Sequence, residues 1–227
     1  MCISAEASVA VGAVLLPAGA YCVQAALRKN RSYLVLSVIP IFFSAQQFCE
    51  GAVWLGLGQN DGALSERASL GFLFFALAFW PFWIPLSVLL LESQPSRKWL
   101  IGFITILSLA WGLVLYYPIA ADPQRWLTIQ VVHHSVQYNY FALPVYQVVS
   151  PSWVRFFYLA TIALPLVVWS ERQGLTFGLL LAASAMVSHF IFAHAFVSVW
   201  CFFAAVLALY LCLVFYRLPA ASVAKMG

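Results

Sequence analysis

Seven apolar runs, each long enough to cross a bilayer as a helix, dominate this chain of 227 residues. They lie near Ala7–Ala26, Tyr33–Leu57, Ala68–Leu91, Trp99–Tyr117, Trp153–Trp169, Leu175–Ala195 and Val197–Tyr216. About 18 to 20 apolar residues span a hydrocarbon core of about 30 Å. The last two runs are continuous from Leu175 to Tyr216, which is too long for one crossing. A turn around His194–Ser198 is therefore expected from length alone. Hydrophobic residues make up 64% of the chain and charged residues 8%, whereas soluble domains carry about a quarter charged residues. A water-soluble globule of this size could not hide so much apolar surface. A soluble enzyme, a disordered chain and a nucleic-acid binder are excluded. The expectation is an all-α bundle of seven transmembrane helices forming one domain over residues 1–227, with the lipid bilayer as its partner and no nucleic acid.

The few charges read as topology. The first run lacks the basic leader of a signal peptide: its first charge is Glu6, and Arg28, Lys29 and Arg31 follow it. It is expected to stay as a mature helix. With the N-terminus outside, the cytoplasmic segments hold Arg28, Lys29, Arg31, Arg97, Lys98, Arg172, Arg217 and Lys225, and the outside segments hold Arg67, Arg125 and Arg155. Eight against three supports an outside N-terminus and a cytoplasmic C-terminus. Two segments break the regularity. Trp80-Pro81-Phe82-Trp83-Ile84-Pro85 predicts a kink in the third span, because each proline removes a backbone donor. Pro118–Ser152 is too polar in its first half to span, faces outside in this topology and has the length of a lid. Within it, Thr128–Tyr140 mixes β-branched, aromatic and polar residues and suggests a short β-hairpin.

Of seven acidic residues, only Glu50 falls inside a span. A carboxylate there costs on the order of 2.5 kcal/mol or more unless it is paired, protonated or hydrated. Gln46 sits one helical turn before it on the same face, and Gly51 lets another helix approach. The histidines are His133 and His134 in the long loop and His189 and His194 near the outer end of the sixth run. His189 and His194 are about 140° apart around an unbroken helix, so both face one ion only if the helix ends near His194. Glu50 lies roughly 9 Å, and His189 roughly 6 Å, outward of the middle of its span, at about 1.5 Å per residue. Every unusual polar group therefore reaches the same outer layer. Cys22 and Cys212 lie toward the inner half, while Cys2, Cys49 and Cys201 lie on the outer side. Removal of Met1 would make the amine and thiol of Cys2 an N,S chelate.

No lysine lies in any span, which excludes a retinal Schiff base, and no phosphate-binding or nucleophile-elbow motif is present. Three strings, Met1-Cys2-Ile3-Ser4-Ala5-Glu6-Ala7-Ser8, Gln46-Gln47-Phe48-Cys49-Glu50-Gly51-Ala52-Val53-Trp54 and Ser198-Val199-Trp200-Cys201-Phe202-Phe203-Ala204, resemble an uncharacterised family of prokaryotic multi-pass membrane proteins of about this length. The resemblance implies a prokaryotic plasma-membrane location and no assigned activity. A second similarity is to the seven-helix metal-dependent hydrolases of the alkaline ceramidase and adiponectin receptor type. Ser188, Glu50, His189 and His194 are the corresponding residue types here, at a spacing that departs from theirs.

Three functional readings follow. In the first, Glu50, His189 and His194, helped by Cys2, His133 or His134, hold zinc or another transition metal. Bound water attacks a lipid or small apolar substrate, with Gln46 and Ser188 as further catalytic residues. In the second, the protein is a proton, ion or small-solute carrier, channel or sensor working through Glu50 and His189. In the third, it is a structural or cofactor-holding subunit of a membrane complex, its aromatic residues packing pigments or quinones.

Overall fold

The computed structural model describes residues 4–219. Seven helical spans are long and apolar enough to cross a membrane: α1 (Ala5–Lys29), α2 (Arg31–Gln59), α3 (Gly62–Leu91), α4 (Pro95–Ala121), α5 (Pro151–Val168), α6 (Arg172–Ile191) and α7 (Ala193–Arg217). The seven expected runs are all present as helices, which suits a multi-pass membrane protein. The spans begin where the local chemistry says they should. Ser4 accepts a hydrogen bond from the Ala7 N–H at the start of α1, Glu6 lies in its first turn, and Arg28 and Lys29 lie in its last. Asp61 caps α3 by accepting from Leu64 N–H at 2.9 Å, and Pro95 and Pro151 open α4 and α5, where a missing N–H costs nothing. Asn60, with φ 55°, turns α2 into α3.

Helices α1 and α2 pack along their length through small residues. A Cβ on Gly19 would stand 2.4 Å from Ile41 Cγ1, and one on Gly51 would stand 2.8 Å from Val9 Cγ2. The Ser44 hydroxyl donates to the Gly12 carbonyl at 2.7 Å. Without a hydrophobic drive between helices in lipid, such close approach and interhelical bonding hold a bundle together. Large apolar side chains on the outside, such as Phe103 and Ile106 on α4, face where lipid would lie.

The break in the third span is not a simple proline kink. Helix α3 runs as an α-helix over Gly62–Leu73, widens to a π-helix over Phe74–Phe79 and resumes as an α-helix over Trp80–Leu91. Trp80 N–H donates five residues back to the Phe75 carbonyl. The next amide in that register belongs to Pro81, which has no hydrogen, so the Ala76 carbonyl loses its helical partner. The Tyr158 hydroxyl of α5 donates to it instead. Gly112 of α4 lets that helix lie against the widened turn, since a Cβ there would stand 3.0 Å from Ala78 Cα and from the Leu77 oxygen.

Between α4 and α5 the chain forms two antiparallel strands, β1 (Thr128–Val132) and β2 (Ser135–Asn139), with Val132 opposite Ser135. His133 and His134 make the turn, both at positive φ (46° and 58°), as a two-residue type I′ loop requires. Strand β2 lies on the bundle: Val136, Tyr138 and then Tyr140 are buried, the period-two face of an extended segment. They join Val53, Phe72, Leu73 and Leu77 in a core that closes this end.

At the opposite end the helix termini are tied to one another. Buried Glu92, just after α3, accepts from the N–H groups of Ser93, Gln94 and Ser170 and from the Ser170 hydroxyl. Arg97 donates to the Val168 carbonyl and to Ser170 Oγ. Lys29 Nζ donates to the Phe215 and Tyr216 carbonyls at 3.0 and 2.8 Å, capping α7 with a cation.

Candidate functional site

The site is built on α2. Gln46 and Glu50 share one face at four-residue spacing and Gln47 lies beside them; all three are fully buried. Gln46 Oε1 accepts from Trp80 Nε1 at 2.7 Å, and the Trp80 ring is stacked on Phe43 at 3.9 Å between centroids. The π-helical turn ends at Trp80. The irregularity in α3 therefore sets which way this indole points. The Ser198 hydroxyl of α7 donates to Glu50 Oε1. Cys201, one turn further along α7, is buried.

Strand β2 supplies the cover. Tyr138 stacks on Phe72 at 4.9 Å and buries its hydroxyl without a hydrogen-bond partner. Burial raises the Tyr138 phenol well above its ordinary range, and Glu50, Cys201 and Cys49, all within electrostatic reach, raise it further. Glu50 Oε2, Gln46 Nε2 and both polar atoms of the Gln47 side chain are buried and likewise reach no partner in hydrogen-bonding geometry. Buried polar atoms are ordinarily paired with protein or water, because each one left bare costs about 1–3 kcal/mol. A group of them around one carboxyl is a place where solvent or a ligand belongs.

A cavity adjoins this group. It is small, about 40 Å³ or room for a few water molecules, and Tyr138, Tyr140, Arg155, Tyr158, His194 and Ser198 are among its walls. Arg155 of α5 is half-buried, lies 5.1 Å over the Phe196 ring and donates to the Ala193 carbonyl at 2.9 Å. Tyr146 packs against Tyr140, and burial pushes its phenol up to about 12 against the opposing pull of Arg155. Tyr138 and Tyr146 are thus neutral hydrogen-bonding groups at physiological pH.

Residues 1–226 match the family of unknown function DUF6629. The chain belongs to this family. No curated protein and no solved structure matches it. The similarity to ceramidase-type hydrolases therefore finds no support in either comparison.

The structure does not gather the residues expected to bind metal. Glu50 faces Ser198 and the hairpin, whereas His189 Nδ1 lies 3.4 Å from Arg155 and its ring is packed near Phe196. His194 faces His133 of the hairpin turn, with ring centroids 5.5 Å apart. His133 and His134 are exposed, and Cys2 lies outside the described residues. Among the described residues, no group of three or more histidine, cysteine, aspartate or glutamate side chains is placed to hold an ion. Ser188 is buried too, but its hydroxyl donates to the Ser184 carbonyl of its own helix at 2.9 Å. The physical reason is lateral. Helix α6 packs on α5 and α7, and α7 packs on α2, so α7 lies between His189 and Glu50, while His194, in the first turn of α7, is turned toward His133. Equal depth in a bundle does not make two helices neighbours.

Sequence reasoning missed Tyr138 and the role of Trp80. The signal for Tyr138 was the alternation Val136, Tyr138, Tyr140, which puts three bulky side chains on one strand face. Trp80 carried no separate signal beyond its place before Pro81.

Proposed function

We propose that the protein is a proton-linked carrier of a small hydrogen-bonding solute, with Glu50 as the group that takes up and releases the proton. The observation that carries this reading is the set of buried, unpartnered polar atoms on Gln46, Gln47, Glu50 and Tyr138 beside a cavity with room for a few water molecules, about 40 Å³. Charged groups inside membrane spans cost several kcal/mol and mark ion and proton pathways. Ser198 fixes one oxygen of Glu50 and leaves the other unpaired. Gln46 and Gln47 supply both donors and acceptors for a ligand. The excess of basic residues at the end opposite the hairpin supports a cytoplasmic assignment for that end. The hairpin and the N-terminus of α1 then lie outside, and the cavity loads from that side. The metal-hydrolase reading is not carried forward, because His189 stands across α7 from Glu50, His194 faces His133, and among the described residues no three such side chains are grouped to hold an ion.

The test is collapse of an imposed pH gradient across proteoliposomes, read by an entrapped pH dye. Wild-type protein is expected to dissipate the gradient several-fold faster than Glu50→Gln, with Glu50→Asp in between. Equal rates for wild type and Glu50→Gln overturn the reading.

A further inference from the structure

The cavity under the hairpin has an uneven wall. Part of it is hydrocarbon, from Leu77, Leu115 and Val136. Another part is the guanidinium of Arg155, half-buried near the start of α5 and 5.1 Å over the Phe196 ring. Its hydrogen-bond partners among the described residues are His189 Nδ1 at 3.4 Å and the Ala193 carbonyl at 2.9 Å. Arginine only donates, so both partners are neutral acceptors. No aspartate or glutamate stands in the cavity wall. A guanidinium set against aromatic and apolar surface with no acid beside it favours an anion in the adjoining space.

Two further features of the same wall point the same way. The regular α-helical part of α7 runs over Phe196–Ala208, and no side chain caps its start. Phe196, Val197 and Ser198 of its first turn border the cavity. The positive end of that helix dipole therefore faces the same space as Arg155. Tyr138 is 6% exposed and also lines the cavity, and its hydroxyl reaches no partner. A cation, a helix N-terminus and an unpaired phenol converge on one small volume. That volume, about 40 Å³, has room for a few water molecules and so for an ion, but not for a chain or a ring.

We infer that the cavity binds a small monovalent anion, of the size of chloride, nitrate or formate, between Arg155, the first turn of the Phe196–Ala208 helix and the Tyr138 hydroxyl. This rests on the reading above that the space beside Glu50 is a ligand site, and it names the chemistry of the solute. Ser198, in the same wall, holds Glu50. An anion in the cavity therefore favours the protonated carboxyl, since two negative charges close together in a low dielectric repel strongly, and this ties the solute to the proton.

The test uses the full chain in nanodiscs of zwitterionic lipid and reads the broadening of the chlorine NMR line, which reports chloride exchanging with a protein site. Wild-type protein should broaden the line beyond empty nanodiscs, and the excess should saturate as chloride is raised. Nitrate and formate should remove the excess, and gluconate, too large for the cavity, should not. Arg155→Gln should weaken chloride binding about tenfold or more, the scale of a hydrogen bond to a charged group. Arg125→Gln removes a cation that lies over Trp126 and outside the cavity wall, and should leave binding unchanged. Tyr138→Phe keeps the ring stacked on Phe72 and should weaken binding several-fold, which gives a second test if Arg155→Gln does not fold. No excess broadening in the wild type, displacement by gluconate, equal losses in the two arginine variants, or unchanged binding in Tyr138→Phe overturns the site. Binding is read here without a pH gradient or flux. Chloride binding without proton movement would leave this site standing and remove the carrier, and proton movement without chloride binding would do the reverse.

Discussion

Replacing Tyr158 by Phe removes one oxygen and keeps the ring that packs against Trp200. The cost follows from what happens to the Ala76 carbonyl. In an ordinary helix it would accept from the amide four residues on, but Trp80 N–H is committed to Phe75. In the widened register it would accept from residue 81, which is proline. No backbone donor remains, and both Tyr158 and Ala76 are buried. Interhelical hydrogen bonds in membrane proteins average only about 0.6 kcal/mol, because partners are usually exchanged when one is removed. Here no exchange is available, so the cost approaches that of an orphaned buried acceptor, about 1–2 kcal/mol. The assay is SDS-driven unfolding in mixed micelles followed by circular dichroism. The informative control is a double-mutant cycle with Pro81→Ala, which returns an N–H to the helix and lets either register satisfy Ala76. In that background Tyr158→Phe should cost less than about 0.5 kcal/mol. An equal cost in both backgrounds, or a cost below about 0.3 kcal/mol in the wild-type one, would refute the claim that proline created the orphan.

Two further predictions concern packing and pH. Gly112→Ala places a Cβ 3.0 Å from the backbone of the π-helical turn, and backbone cannot step aside, so a loss of about 1–3 kcal/mol is expected in the same assay. Gly58→Ala, which meets nothing within 4 Å, should be neutral or gain up to about 1 kcal/mol; equal effects at the two sites would show that the close approach is not what Gly112 provides. Burial alone would raise the Glu92 carboxyl, but the hydrogen bonds it accepts from Gln94, Ser170 and Ser93 outweigh this and hold it below the ordinary carboxylate range. Its contribution is therefore complete above the unfolded-state value of about 4.3 and is lost as the pH falls through the lower folded-state value. The stability difference between wild type and Glu92→Gln should be flat above about pH 5 and shrink below it; a difference that grows on acidification would reverse the assignment.

The architecture was legible because membrane insertion imposes length and apolarity on each span separately, and both are local properties. All seven runs appear as helices, with ends moved by a few residues where caps and prolines act. The third span was the exception in detail. Pro81 announced an irregularity, but the widening lies on its N-terminal side, at Phe74–Phe79, because a proline deprives carbonyls that precede it. Glu50 and Gln46 were also legible, since a carboxyl in a span is costly wherever its helix sits.

The pairing of Glu50 was not legible. Depth along each helix can be counted at a fixed rise per residue, and it put Glu50 and His189 in one layer. Rotation about the helix axes and the order of helices around the bundle are tertiary quantities, set by where small residues such as Gly19 and Gly112 allow contact. They turned Glu50 toward Ser198 and the hairpin, and His189 toward Arg155. The sequence by itself determined that this chain carries seven helices long and apolar enough to cross a membrane, and at what level along them its polar groups lie. Only the tertiary structure decided which of those groups meet, because neighbours across a bundle are chosen by packing between helices and not by periodicity within one.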